Sequence, residues 1–205
     1  MIALFYDTET SGLPLFNEPS EDPRQPHIVQ LAACLVDTDT RATIASMDVT
    51  VQPRGWVIPD DVAAIHGITT ERATDVGIPE SIAVSMFIEL WRFRTRIAHN
   101  EAFDARILRI ALLRHAIDAA LPDRWKAGPA GCTQALSTPI LRLPPTPRMI
   151  AAGRLHHKSA NLGEAYRHFT GEQLAGAHNA MVDVQACMTV YFAIVDHMQR
   201  AAAAV

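Results

Sequence analysis

Two carboxylates, Asp7 and Glu9, stand two residues apart directly behind the apolar run Ile2-Ala3-Leu4-Phe5-Tyr6. The run reads as a buried strand, and residues i and i+2 of an extended chain face the same side. Two carboxylates are thus expected side by side at the end of a core strand. Burying unpaired like charges costs several kcal/mol or more, so the pair demands a cation between its members. An isolated Asp-x-Glu is ordinarily a surface feature; the apolar run before it is what brings this one to the core.

The remaining chain is consistent with one α/β domain spanning 1–205. Its 205 residues are 49% hydrophobic and 20% charged, outside the disordered and fibrous ranges. The longest apolar candidate, Ser81 to Trp91, is interrupted by Glu89 and flanked by Arg92, Arg94 and Arg96, so no transmembrane helix is expected. The start of the chain lacks basic residues and runs into Asp7, unlike a secretion signal. Cys34, Cys132 and Cys187 are widely spaced without a CxxC pair, which suits reduced thiols in a cytoplasmic protein, not a disulfide framework or a zinc site. The net charge of −4 argues against a polyanionic partner, but its distribution does not. From Arg124 to Gly163 there is no Asp or Glu, while Arg124, Lys126, Arg142, Arg148, Arg154 and Lys158 are basic. That stretch suits either a phosphate-tracking surface or a solvated loop.

Periodicity and turn residues predict the elements. His27–Asp37 and Ala42–Gln52 form a hairpin across Asp37-Thr38-Asp39, and 11–26 is a loop. Helices are expected over Asp60–His66, Glu80–Phe93, Asn100–Ala116, Asn161–Phe169 and Asn179 to about Met198, with a short strand at Arg96–His99. Pro129, Pro139, Pro144, Pro145 and Pro147 mark about 128–160 as a long Pro-rich insertion, and about 200–205 as a frayed tail. The sum is a mixed central sheet flanked by helices.

Two further segments place chemistry at element ends. In His99-Asn100-Glu101-Ala102-Phe103-Asp104, Asn100 is expected as a helix N-cap, with Asp104 in the early turns, where the helix dipole tolerates a carboxylate. In His178-Asn179-Ala180-Met181-Val182-Asp183, a His178 lying in the loop before an Asn179 cap can share a cleft with Asp183. Asp7, Glu9, Asp104 and Asp183 together make an oxygen-rich site suited to magnesium or manganese, not zinc. Two such ions can clamp both oxygens of an in-line phosphoryl displacement, with His178 as general base on the attacking water.

Taken in order, Asp7-Thr8-Glu9-Thr10-Ser11-Gly12, His99-Asn-x-x-Phe-Asp104 and His178-x-x-x-x-Asp183 resemble the three motifs of the DEDDh, proofreading-type 3′–5′ exonucleases. That family includes the epsilon proofreading subunit of bacterial DNA polymerase III, ribonuclease T and oligoribonuclease. The likeness runs from residue 2 to about 195 and fills all five signature positions; Ile65-His66-Gly67-Ile68-Thr69 adds a further similar segment. The resemblance implies an RNase H-like fold, two Mg²⁺ or Mn²⁺ ions, and release of nucleoside 5′-monophosphates. It implies Asp7, Glu9, Asp104 and Asp183 as metal ligands and His178 as base. Substrate contacts are expected at Thr8, Thr10, Gly12, Leu13, Ile65, His66, Asn100 and Phe103; for His66 capping of a helix end weighs equally.

The expected partner is nucleic acid, with single-stranded or frayed DNA 3′ ends ranked ahead of RNA. An RNA 3′-end trimming exoribonuclease is the second reading. A catalytically silent nucleic-acid-binding domain is disfavoured because none of the four carboxylates is missing, and an endonuclease is disfavoured by the histidine motif. The long loop Leu15–Pro26 and the Pro-rich stretch could border the cleft, form a homodimer surface or dock a polymerase or nuclease partner. With no clamp-binding motif or long tail in view, a free-standing enzyme is expected.

Overall fold

The computed structural model describes residues 1–203. In chain order the elements are β1 (Ile2–Thr10), β2 (Ile28–Asp37), β3 (Ala42–Thr50), α1 (Asp60–His66), α2 (Thr70–Val76), α3 (Glu80–Trp91) and β4 (Thr95–Ala98). Then follow α4 (Glu101–His115), α5 (Leu121–Ala127), β5 (Ala130–Cys132), α6 (Thr133–Leu141), α7 (Pro147–Ala151), α8 (Leu162–Thr170) and α9 (Ala180–Ala203). The sheet order is β3-β2-β1-β4-β5. The hairpin β2–β3 and the β1–β2 pair are antiparallel, whereas β1–β4 and β4–β5 are parallel.

β1 lies in the middle, and its side chains alternate between two cores. Leu4 and Tyr6 pack with Phe87 and Trp91 of α3, Leu108 of α4 and Trp125 of α5. Ala3 and Phe5 face Val184, Cys187, Tyr191 and Phe192 of α9. Covering both faces explains why β2 is buried along its whole length except Asp37. In the first core Trp125 meets Tyr6, Phe87 and Trp91 edge-on at centroid separations of 5.7, 5.6 and 4.9 Å.

Several expectations need correction. The first strand is not among them: β1 carries Asp7 and Glu9 at its C-terminal end and runs to Thr10, because β2 continues to pair with it as far as Ile28. Residues 128–160, expected as a loosened Pro-rich stretch, carry regular elements. They supply the edge strand β5 and the helices α6 and α7, of 3, 9 and 5 residues; β5 and α7 are too short to display a period, and Pro139 inside α6 reads as a breaker. Helices α2 and α5, each 7 residues, were not expected, whereas the equally short α1 was, from Pro59 and Asp60 at its start and Gly67 at its end. Asn100 occupies the N-cap position of α4 in left-handed conformation (φ 63°) and makes no side-chain cap bond. The tail expected to fray from 200 stays helical to Ala203, alanine being the best helix former; residues 204 and 205 lie outside the described part.

Buried Glu80, at the start of α3, ties three elements together. It accepts from the Ile28 amide at 2.9 Å and pairs with His27 Nδ1 at 2.9 Å, His115 Nε2 at 2.8 Å and Arg114 Nη1 at 3.3 Å. Burial alone would raise its pKa; the hydrogen bonds from His115 and His27 and the Arg114 charge outweigh this and hold it well below the usual carboxylate range. A depressed folded-state pKa adds stability above the unfolded pKa, and that stability is lost as pH falls toward the folded value. Glu80→Gln is therefore expected to cost about 3–5 kcal/mol at pH 7. Thermal melts should show the gap to the parent protein narrowing once pH drops below about 4.5.

Candidate active site

The geometry of the site follows from where the strands stop. β4 pairs with β1 only as far as Phe5 opposite Ile97, so Asp7 and Glu9 project beyond the last parallel pairing. Past that point β1 is held by β2 alone, with Asp7 opposite Ala32 and Glu9 opposite Gln30. α4 starts just after β4 and brings Asp104 to this edge. Asp104 Oδ1 accepts from the Thr8 amide at 3.1 Å and the Thr8 hydroxyl at 2.7 Å. From the other layer, α9 is fastened by Gln30, whose Oε1 accepts from the Ala180 amide at 3.1 Å. Gln30 is the register partner of Glu9, so the first turn of α9, with Asp183, is set against that carboxylate.

His178 precedes α9 in left-handed conformation, φ 67°. Its amide donates to Asp183 Oδ2 at 2.9 Å, while Asn179 Oδ1 accepts from the Val182 amide at 3.3 Å. The kink releases the imidazole from the helical period. One ligand-type atom each from Glu9, His178 and Asp183 lie within 4.8 Å of one another.

The electrostatics of the site suits a bound cation. Burial, then the charges of Asp104, Asp183 and Glu9, push the Asp7 carboxyl well above the usual carboxylate range. Burial, then Asp183 and Asp104, raise Glu9 to about 7. Burial raises Asp104 to about 7 despite the two Thr8 bonds, and it also raises Asp183. Asp183 Oδ1 is buried with no hydrogen-bond partner. An orphaned oxygen beside three crowded carboxylates is what a hard divalent ion satisfies, and the donor set fits one.

The residues expected to contact substrate are distributed more widely. Thr8 is buried and its hydroxyl is committed to Asp104; the buried Thr10 hydroxyl donates to the Gly12 carbonyl at 2.7 Å. Leu13 and Ile65 are 75% and 58% exposed, Asn100 is exposed, and Phe103 packs partly against the first core. His66 Nδ1 accepts from the Ile68 amide at 3.1 Å, which leaves the proton on Nε2, a buried atom without a hydrogen-bond partner. Burial and then the nearby His178 charge lower the His66 pKa. Sequence reading missed Gln30 as the anchor of α9. It also left out His99, whose Nδ1 meets the Thr133 hydroxyl at 2.9 Å and whose Nε2 meets the Ala160 carbonyl at 3.0 Å. Its place in the second motif was the available signal.

Residues 4–191 match the family model described as Exonuclease, of the RNase T type. The chain belongs to this DEDD-type exonuclease family, and its sheet and flanking helices are the RNase H-like exonuclease fold. Among solved structures it is similar to Escherichia coli exonuclease I in complex with a dA16 oligonucleotide. There the identity is 20% and the TM-score 0.69, over 94% of this chain and 40% of that one. The zinc-bound exonuclease I–ssDNA complex of E. coli gives 20% identity and a TM-score of 0.71, over 97% and 41%. A product-bound exonuclease I gives 19% and 0.70, over 97% and 44%. The chain thus spans about two fifths of the length of the exonuclease I structures it matches. No curated protein matches it significantly. No helix among the described residues is long and apolar enough to cross a membrane.

The repulsion is testable without any substrate. Raised folded-state pKa values cost stability above the unfolded pKa, so metal-free protein should melt higher as pH falls from 8 toward 5. Asp7→Asn should raise the melting temperature of metal-free protein at pH 8 by a few degrees, at about 2–4 °C per kcal/mol for a domain of this size. Magnesium or manganese should stabilise the parent protein and not the variant.

Proposed function

We propose that the chain is a divalent-metal-dependent 3′–5′ exonuclease of the DEDDh subtype. It removes nucleoside 5′-monophosphates from single-stranded or frayed 3′ ends, DNA ahead of RNA. The observation that carries this reading is the convergence of Asp7, Glu9, Asp104, Asp183 and His178 at one edge of the sheet, with Asp183 Oδ1 lacking a partner. Asp7, Glu9, Asp104 and Asp183 would hold two Mg²⁺ or Mn²⁺ ions. When bound, these supply charge compensation to the carboxylates and Lewis-acid stabilisation to the phosphoryl oxygens.

The protein's own groups do the rest. His178, outside the helical run and beside Glu9 and Asp183, takes the proton of the attacking water. The hydrogen bond that its backbone amide donates to Asp183 holds the His178 backbone and that carboxylate in fixed relation. Thr8 orients Asp104 through two bonds. Leu13 and Ile65 present exposed apolar surface on which a terminal base can rest. The DNA ranking draws support from exonuclease I, whose structures hold dA16 and ssDNA. Free thiols at Cys34, Cys132 and Cys187 suit a cytoplasmic setting, and residues 1–205 are read as one domain.

The test is a time course on 5′-labelled single-stranded DNA and on matched RNA, with magnesium, manganese or EDTA. The expected result is a ladder shortening one nucleotide at a time from the 3′ end, faster on DNA and silent in EDTA. Asp7→Ala and Asp183→Asn should abolish turnover. His178→Ala should lower kcat by about 10²–10⁴ with folding intact. Parent-like rates for Asp7→Ala would remove the site assignment, and faster shortening of RNA would reverse the sugar preference.

A further inference from the structure

On the side of α4 turned away from Asp104, a cleft of about 400 Å³ lies between α4, α5 and the loop joining β1 to β2. Its polar wall consists of Ser20, Arg96, Arg106, Arg109 and Lys126, with Trp125 completing it, and no carboxylate lines it. Arg106 follows Asp104 by two residues, about 200° around the helix, so this cleft and the carboxylate site occupy different faces. Its loop wall is fastened in place. Gln25 donates to the carbonyls of Leu15 and Pro19 at 3.2 and 2.9 Å, and Arg106 Nη2 donates to those of Leu15 and Glu18 at 2.8 Å each.

The cations are incompletely satisfied. Arg96 is neutralised by Glu101 at 2.6 Å and also donates to the Gly128 carbonyl, so it contributes wall and not free charge. The other three differ. Arg106 uses only Nη2, and Arg109 uses only Nη1, which donates to Ser20 Oγ at 3.0 Å. Each guanidinium has five donors, so most remain without a protein acceptor. The Nε atoms of both are buried and unpartnered. Among the described residues, none of Arg106, Arg109 and Lys126 forms an ion pair with a carboxylate. Like charges three residues apart on one helix repel, and partial burial of their donors adds a desolvation cost. A tetrahedral dianion bridging the three cations would offset both, with charge-assisted bonds of the kind that favour arginine at phosphate sites.

We propose that this cleft binds a phosphate group, held by Arg106, Arg109 and Lys126. The group can be a backbone phosphate of the strand being shortened, a source that rests on the proposed function, or a free phosphate or mononucleotide in solution. The cleft lies outside the five-residue site, so its occupancy can be measured without catalysis.

Inorganic phosphate titrated calorimetrically into the full chain in EDTA, at constant ionic strength, should show saturable binding at one site. Lys126→Gln, a change at an exposed side chain, should weaken that binding about tenfold, the loss of one charge-assisted contact. Arg109→Lys should retain more of it than Arg109→Gln, and Asp7→Asn should leave it unchanged. Anisotropy of a labelled thymidine oligonucleotide in EDTA then separates the sources. If the group belongs to a strand, Lys126→Gln weakens strand binding and reduces its log–log salt slope by about 0.7. If strand binding is unaltered while phosphate binding falls, the ligand is the free anion. No saturable binding by folded parent protein, or equal binding by Lys126→Gln, overturns the proposal. Either outcome leaves the 3′-end ladder to stand or fall separately.

Discussion

Mutual repulsion among four carboxylates at the C-terminal half of β1 is the constraint on which the arrangement turns. Asp7 and Glu9 cannot separate, because β1 is the middle strand and both its faces are packed. Asp104 arrives from the helical layer over one face and Asp183 from the helix over the other. Both are held by hydrogen bonds that hydrophobic packing alone would not supply: Thr8 to Asp104, and the His178 amide to Asp183. The fold thus spends stability to crowd four carboxylates together, as preorganised sites do. The aromatic cluster around Trp125, which packs beneath Tyr6 and α4, and the Glu80 network supply compensating stability.

Precision at the site comes from polar fastenings between elements. Gln30 joins the start of α9 to the strand position opposite Glu9. His99 joins the end of β4 to Thr133 at the head of α6 and to Ala160 just before α8. Burial lowers the His99 pKa, so the ring acts as a neutral tie with one donor and one acceptor. Arg96 and Glu101, buried against Tyr6 and Trp125, secure the first turn of α4 from beneath. Apart from the Arg96–Glu101 pair, five residues apart, these contacts join residues tens of positions apart, and no local pattern announces them.

Legibility varied with element length and with whether a signal was local. The hairpin, α3, α4 and α9 were readable because each sustains its period over nine or more residues and meets a turn or cap signal. Of the 7-residue helices, α1 was readable from Pro59 and Asp60 at its start and Gly67 at its end, whereas α2, α5 and the 3-residue β5 were not, since two turns or fewer leave a period unexpressed. Proline misled at 128–160: Pro129, Pro147 and Pro139 precede, open and sit inside real elements. Asn100 misled in another way. Its capping residue type was recognised, but its left-handed backbone turns the side chain from the amides it was expected to cap.

What the sequence by itself determined is the chemistry. Acid type, spacing and position beside apolar runs are properties of the chain, and they carry the carboxylates, the histidine and the strand and long helices that present them. What only the tertiary structure decided is where charges from remote segments meet. Asp183 is isolated in sequence from Asp7 and Glu9, and only the Gln30 anchor and the His178 kink bring it against them. The unpaired cations of Arg106, Arg109 and Lys126 are likewise unremarkable along the chain and become a site only where α4, α5 and a fastened loop enclose them. Electrostatic energy depends on distance and burial, and neither exists before the chain has folded.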